Sequence, residues 1–131
     1  MSNPIDQAWQ SYQRCIGEFD FLHDFYLSFI ESAPEIAAHF ERTDIDHQTV
    51  MLRASLDLML GNPQQQERHD LNAIAKAHSR AGFGIPPQLY DFWLDSLLST
   101  VRNYDHAFNT ELEQAWRDAL RPGIDYMKEA Y

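Results

Sequence analysis

Every apolar stripe in this chain repeats with the period of an α-helix, and none alternates with the period of a strand. Ile5, Trp9, Tyr12 and Ile16 mark one stripe, opened by Pro4 after Asn3 as a cap and ended by Gly17. A second helix is predicted over about Glu18 to Glu31, with Phe19, Leu22, Tyr26, Phe29 and Ile30 on or beside its inner face. Ser32 and Glu35 have capping-box spacing, so a short helix with Pro34 in its first turn should carry Ile36 and end near Phe40. Thr43 and Asp46 suggest the next start, leading a helix from about Ile45 to Leu60 with Leu52, Leu56 and Met59 on its apolar face. Gly61-Asn62-Pro63 stops it.

After a polar loop comes a short helix on which Leu71, Ile74 and Ala75 share a face with His78. Gly82 and Gly84 free the backbone, and Ile85-Pro86-Pro87 turns it into a long helix bearing Leu89, Tyr90, Trp93, Leu94, Leu97, Leu98 and Val101. Thr110 and Glu113 repeat the capping-box spacing, and the last helix carries Leu112, Trp116, Ala119, Leu120, Ile124 and Met127. The expected architecture is all-α, about seven helices in one domain spanning residues 1–131.

Composition narrows the function. A chain that is 44% hydrophobic and 13% aromatic can bury a substantial core. Its net charge of −10 leaves no basic patch to meet phosphates, so nucleic acid and anionic membranes are not expected partners. No apolar run reaches the roughly 20 residues of a membrane helix, and MSNPIDQAWQ does not read as a secretory signal. The single cysteine, Cys15, cannot form an internal disulfide and fits a cytoplasmic location. Paired Glu-x-x-His motifs for di-iron, His-Glu-x-x-His and Cys-x-x-Cys for zinc, and Gly-x-Ser-x-Gly for a nucleophile are all absent.

His78 is the residue whose chemistry this leaves open. A neutral imidazole on an apolar helix face is either a hydrogen-bonded core histidine or an axial nitrogen for a haem iron, with the apolar wall excluding water from the porphyrin.

Four groups of residues favour the second. Phe25-Tyr26 is followed by Pro34-Glu35-Ile36, eight residues after Tyr26, and by Phe40, six after Pro34. Thr43-Asp44 precedes Gln48 and Leu52. His78 precedes Ile85-Pro86-Pro87-Gln88-Leu89-Tyr90, and Ala115-Trp116 stands in the final helix. In order and spacing this series resembles the single-domain bacterial globins and the haem domains of flavohaemoglobins, over nearly the whole chain.

The resemblance implies a globin fold around haem b, with His78 as the proximal iron ligand and Phe40 stacked on the porphyrin. Tyr26 and Gln48 would face the sixth coordination position, where each could donate a hydrogen bond to a polar gas such as dioxygen, and less to carbon monoxide. Tyr26 could instead be a core tyrosine bonded to a carbonyl. A one-residue register shift would bring His47 inward in place of Gln48. Leu52, Ile85, Tyr90, Trp93, Leu94, Leu97 and Leu98 are the candidate pocket walls. Arg53 either reaches a haem propionate or extends its stem to solvent, and His23, His39, His69 and His106 read as surface residues.

The chain also departs from that pattern. The loop between His78 and Ile85 is longer than in flavohaemoglobins, and Glu129 does not align with their proximal glutamate, so a strongly polarised His78 is not implied. The expected function is reversible binding of O2, NO or CO for storage, delivery or scavenging, in a monomer or homodimer. The alternatives are nitric oxide dioxygenation driven by a separate reductase as redox partner, since no flavin or nicotinamide domain lies within the sequence, and a globin-fold sensor or interaction protein.

Overall fold

A computed structural model describes residues 3–60 and 86–129. Among them are six helices and no strand: α1 (Pro4–Ile16), α2 (Phe21–Ser32), α3 (Pro34–His39), α4 (Ile45–Leu60), α5 (Leu89–Tyr104) and α6 (Thr110–Glu129). The expected helix carrying His78 lies outside the described residues, as do the stop at Gly61-Asn62-Pro63, His69, Gly82, Gly84 and Ile85.

The helices pack as pairs. α1 lies chiefly on α6 and α2 on α5, while α4 crosses α2, α1 and α6. Each buries one face, which on α1 is Ala8, Ser11, Tyr12 and Cys15, while Ile5, Trp9 and Ile16 of the expected stripe are only half-buried. Tyr12 on α1, Phe21 and Phe25 on α2, Leu56 and Leu60 on α4, Leu97 on α5, and Trp116 and Leu120 on α6 are fully enclosed. Burying side chains of this size stabilises the fold by about 1.5–3 kcal/mol each before entropy is counted. α4 and α6 approach closely at Gly123, where an added Cβ would stand 2.8 Å from Met59 Sδ. Pro122, inside α6, is exposed, so the carbonyl it cannot serve one turn earlier can turn to water. Among the described residues no helix is long and apolar enough to cross a membrane.

The helix starts are where the structure corrects the sequence. Asn3 caps α1 as expected, its side-chain oxygen accepting from the Asp6 amide at 2.8 Å. The capping boxes expected at Ser32–Glu35 and Thr110–Glu113 do not form, and the start expected at Thr43 is capped by another residue. Ser32 Oγ donates to the Phe29 carbonyl at 2.5 Å, and α3 begins instead from an extended Ala33. At α4 it is Asp44, not Thr43, whose carboxylate accepts the Asp46 amide at 3.0 Å, while Thr43 turns back toward His39. At α6 the Asn109 side chain accepts the Leu112 amide at 2.8 Å. At α4 and α6 an amide or carboxylate on the neighbouring residue competes better than the threonine hydroxyl for the same orphan N–H groups.

Phe19 is a second correction. α2 starts at Phe21 rather than Glu18, so Phe19 falls on the turn and is 94% exposed instead of facing inward. Phe21 takes the buried position.

One buried polar group ties the ends of the fold together. Asp105, just beyond α5, has a fully buried side chain. Its carboxylate accepts from Ser11 Oγ at 2.5 Å, Arg14 Nε at 2.7 Å, Arg14 Nη2 at 2.9 Å and the Ala107 amide at 2.9 Å. Nothing in the apolar periodicity marks Asp105 as buried.

Candidate functional site

α2 builds the site. Phe25 and Phe29 are one turn apart on its buried face and stack at 5.6 Å, and Tyr26 stands edge-on to Phe25 at 4.9 Å. α3 then ends so that Phe40 reaches back edge-on to both Tyr26 and Phe29, each at 5.8 Å. From α5, Trp93 closes the other side of Phe25 at 6.1 Å. The result is an aromatic wall contributed by three helices, with Phe25 at its centre. Phe40, Trp93 and Leu94 are only half-buried by the surrounding chain.

One hydroxyl sits in this wall. Tyr26 is buried, and its hydroxyl donates to the backbone carbonyl of Gln48 at 3.2 Å. Burial pushes the phenol well above its ordinary pKa, so it remains a protonated donor. The contact ties α2 to the first turn of α4, where Gln48 is half-buried and His47 is exposed. Leu52, one turn further along α4, is buried.

The structure thus brings Tyr26, Phe40 and Gln48 together and joins Trp93 to them through Phe25. Tyr90, Leu97 and Leu98 are buried on α5 within the same core, and burial raises the Tyr90 phenol to about 12. His78 and Ile85 lie outside the described residues. Arg53 is exposed and lines a surface groove with Ile16 and Val50. His39 and His106 are at the surface, and half-buried His23 bonds Asp46 across α2 and α4 at 3.1 Å. Phe25 and Phe29 were not singled out as site residues. Their signal was the aromatic pair at positions i and i+4, which a sequence cannot distinguish from ordinary core.

The half-buried faces of Phe40, Trp93 and Leu94, with the Tyr26 hydroxyl beside Phe40, would fit a broad planar apolar macrocycle such as haem. Among the described residues no group of three or more His, Cys, Asp or Glu could hold a metal ion. A haem iron held by one axial histidine needs no such group.

No protein-family model and no curated protein matches the chain. The chain is similar to a crystal structure of a Pseudomonas aeruginosa PAO1 protein described as structurally highly homologous to a human hemoglobin, at 39% identity over 98% of both chains and a TM-score of 0.94. An all-helical chain at that identity and coverage belongs to the globin family, in its single-domain bacterial form.

Proposed function

We propose that the protein binds haem b through His78 and uses the bound iron to take up a diatomic gas reversibly, in a reducing cytoplasm that suits its buried, unpaired Cys15. The observation that carries this reading is the buried Tyr26 hydroxyl standing beside Phe40 in an otherwise apolar wall. When bound, haem supplies an iron with a position open to O2, NO or CO. The chain's own residues supply the rest. Phe40, Trp93 and Leu94 offer the apolar surface on which the macrocycle lies, and Leu52, Leu97 and Leu98 keep water from it.

Tyr26 supplies the donor for a polar ligand. Its single proton is engaged by the Gln48 carbonyl, so donation to a gas requires the hydroxyl to leave that oxygen. The carbonyl lies inside α4, where the amide one turn later already serves it, so releasing it costs only about 1 kcal/mol. Gln48, half-buried at the same place, brings a side-chain amide as a second donor.

An absorption spectrum of freshly purified protein tests the proposal. A Soret band with a reduced pyridine adduct of haem b supports it. Loss of the band in His78→Ala, with far-ultraviolet circular dichroism unchanged, assigns the ligand. A protein that folds but takes up no haem when supplied with it overturns the reading.

A further inference from the structure

We propose that His23 is a positioning residue for Tyr26: its pairing with Asp46 holds the start of α4 against α2, keeps the Tyr26 hydroxyl on the Gln48 carbonyl, and so speeds gas release in acid. The proposal rests on the gas-binding reading above. Two contacts cross the same seam. His23 Nε2 meets Asp46 Oδ1 at 3.1 Å, and the Tyr26 hydroxyl donates to the Gln48 carbonyl at 3.2 Å. On α2 the two residues are three positions apart and share a face, and on α4 both partners lie in the first turn. Asp44 makes that turn one piece, its carboxylate accepting the Asp46 amide at 3.0 Å and its carbonyl the Gln48 amide at 3.0 Å. Whatever draws Asp46 toward α2 therefore carries the Gln48 carbonyl with it.

The Tyr26 bond is the contact that responds. At 3.2 Å it is long for an O–H···O bond, whose usual range ends near about 3.0 Å, so a slight parting of the seam breaks it. The hydroxyl proton is then free for a polar ligand. The charge on His23 sets the pull. With the imidazole neutral the contact to Asp46 is an ordinary hydrogen bond, and with it protonated the same contact is an ion pair. Arg53 of α4 and Glu18 of the α1–α2 turn line the groove beside His23, Asp20 and Asp24 stand at the start of its own helix, and Tyr104 of α5 bonds Asp24. Among the described residues Asp46 is the one paired with the imidazole. Protonation thus favours the state in which Gln48 holds Tyr26, and by linkage a bound gas favours loss of that proton. Burial keeps the Tyr26 phenol protonated throughout, so it adds no pH dependence of its own.

The test reads the seam and the ligand separately. In the full chain as purified, NMR between about pH 5 and pH 8 should show the Gln48 carbonyl 13C and the Thr49 amide 15N, which share one peptide, moving with the His23 ring at a single midpoint. Both should be flat in His23→Gln. In the haem-loaded chain, stopped-flow O2 release should be about two- to threefold faster at pH 6 than at pH 8. His23→Gln and Asp46→Asn should each hold it at the slower value, and both should keep the fold, since the pair stands at the surface. Tyr26→Phe should release O2 without this pH difference, because the pair acts through that hydroxyl. A pH difference that survives in His23→Gln overturns the proposal, as do Gln48 shifts that ignore the His23 titration. A chain that takes up no haem removes the gas-binding reading and the proposal with it, whereas haem uptake without the coupled shifts removes the proposal alone.

Discussion

Ser11 and Asp105 are 94 positions apart in sequence, yet the Ser11 hydroxyl donates to the Asp105 carboxylate at 2.5 Å. This bond and the two from Arg14 join the first helix to the corner between the last two, so the α1–α6 packing depends on a charged residue as well as on apolar stripes. Burial by itself would raise the Asp105 pKa. The Arg14 guanidinium, the Ser11 hydroxyl and the Ala107 amide together outweigh it and hold the carboxyl below its ordinary value. A group whose pKa is lowered by folding contributes stability above its unfolded value, near 3.9, and loses it as pH falls toward the folded value. Thermal melts followed by circular dichroism should therefore show a steep fall below about pH 4. Asp105→Asn should lower stability at pH 7 by about 2–3 kcal/mol and make the acid fall shallower.

At the alkaline end four tyrosines act in the same direction. Burial raises Tyr12 and Tyr26 far above the ordinary phenol value, burial raises Tyr90 to about 12, and the bond to Asp24 raises Tyr104 to about 12. Their neutral forms are favoured in the folded chain, so the contribution is complete below the unfolded value near 10 and is lost as pH rises through the folded values. Absorbance at the phenolate wavelength should show these four ionising late, in a step that coincides with loss of helix. Ionisation of all tyrosines at ordinary values, with helix intact, would contradict the burial of Tyr12 and Tyr26.

Tyr26→Phe separates the two duties of that hydroxyl. Removing the bond to the Gln48 carbonyl should cost about 0.5–1.5 kcal/mol of stability, since the ring stays packed on Phe25 and Phe40. In the haem-loaded protein, loss of the donor should speed O2 release at least several-fold and change CO release less, as read by stopped-flow absorbance. Because Tyr26 remains protonated, the wild-type O2 off-rate should not vary between about pH 6 and pH 9 on its account. An unchanged off-rate in the variant would leave Tyr26 a purely structural bond to α4.

How much of this was legible in the sequence follows the physics of each feature. The bounds of α4, Ile45–Leu60, were readable because an apolar period of 3.6 over four turns fits no other backbone. Tyr26 and Phe40 were readable as neighbours only through spacing shared with a family, because bringing α2 and the end of α3 together is a tertiary event. Gln48 against His47 was open in the sequence because a one-residue shift moves a side chain by about 100° around the helix; in the structure Gln48 is half-buried and His47 exposed. Asp105 was invisible, since a buried carboxylate and a surface one look alike until their partners, here 91 and 94 positions away, are known.

The α4–α6 crossing at Gly123 gives a packing test. A methyl group there would gain up to about 1 kcal/mol of helix propensity, but it would meet Met59 Sδ at 2.8 Å and Cγ at 3.4 Å. Met59 is unbranched and can bend away, so Gly123→Ala should be nearly neutral. Gly123→Val cannot be accommodated that way and should cost about 2–3 kcal/mol in chemical denaturation. If both variants are neutral, the two helices do not approach as closely as Met59 and Gly123 indicate.

The start of α6 distinguishes a spacing rule from an actual cap. Thr110 and Glu113 satisfy the capping-box pattern, yet the amide of Leu112 goes to Asn109 and that of Glu113 to the Asn109 backbone carbonyl. Asn109 therefore holds the first turn of the helix that carries Trp116, and the helix that lies against α1. Asn109→Ala should lower stability by about 1 kcal/mol, and Asn109→Asp should restore it, because either side chain presents an oxygen to the same orphan amide. Thr110→Ala should change stability by less than about 0.5 kcal/mol, since its hydroxyl is not the cap. Thermal denaturation of the three variants side by side decides between the two residues. The reverse ranking, with Thr110→Ala the costlier change, would return the helix start to the position that spacing alone suggested.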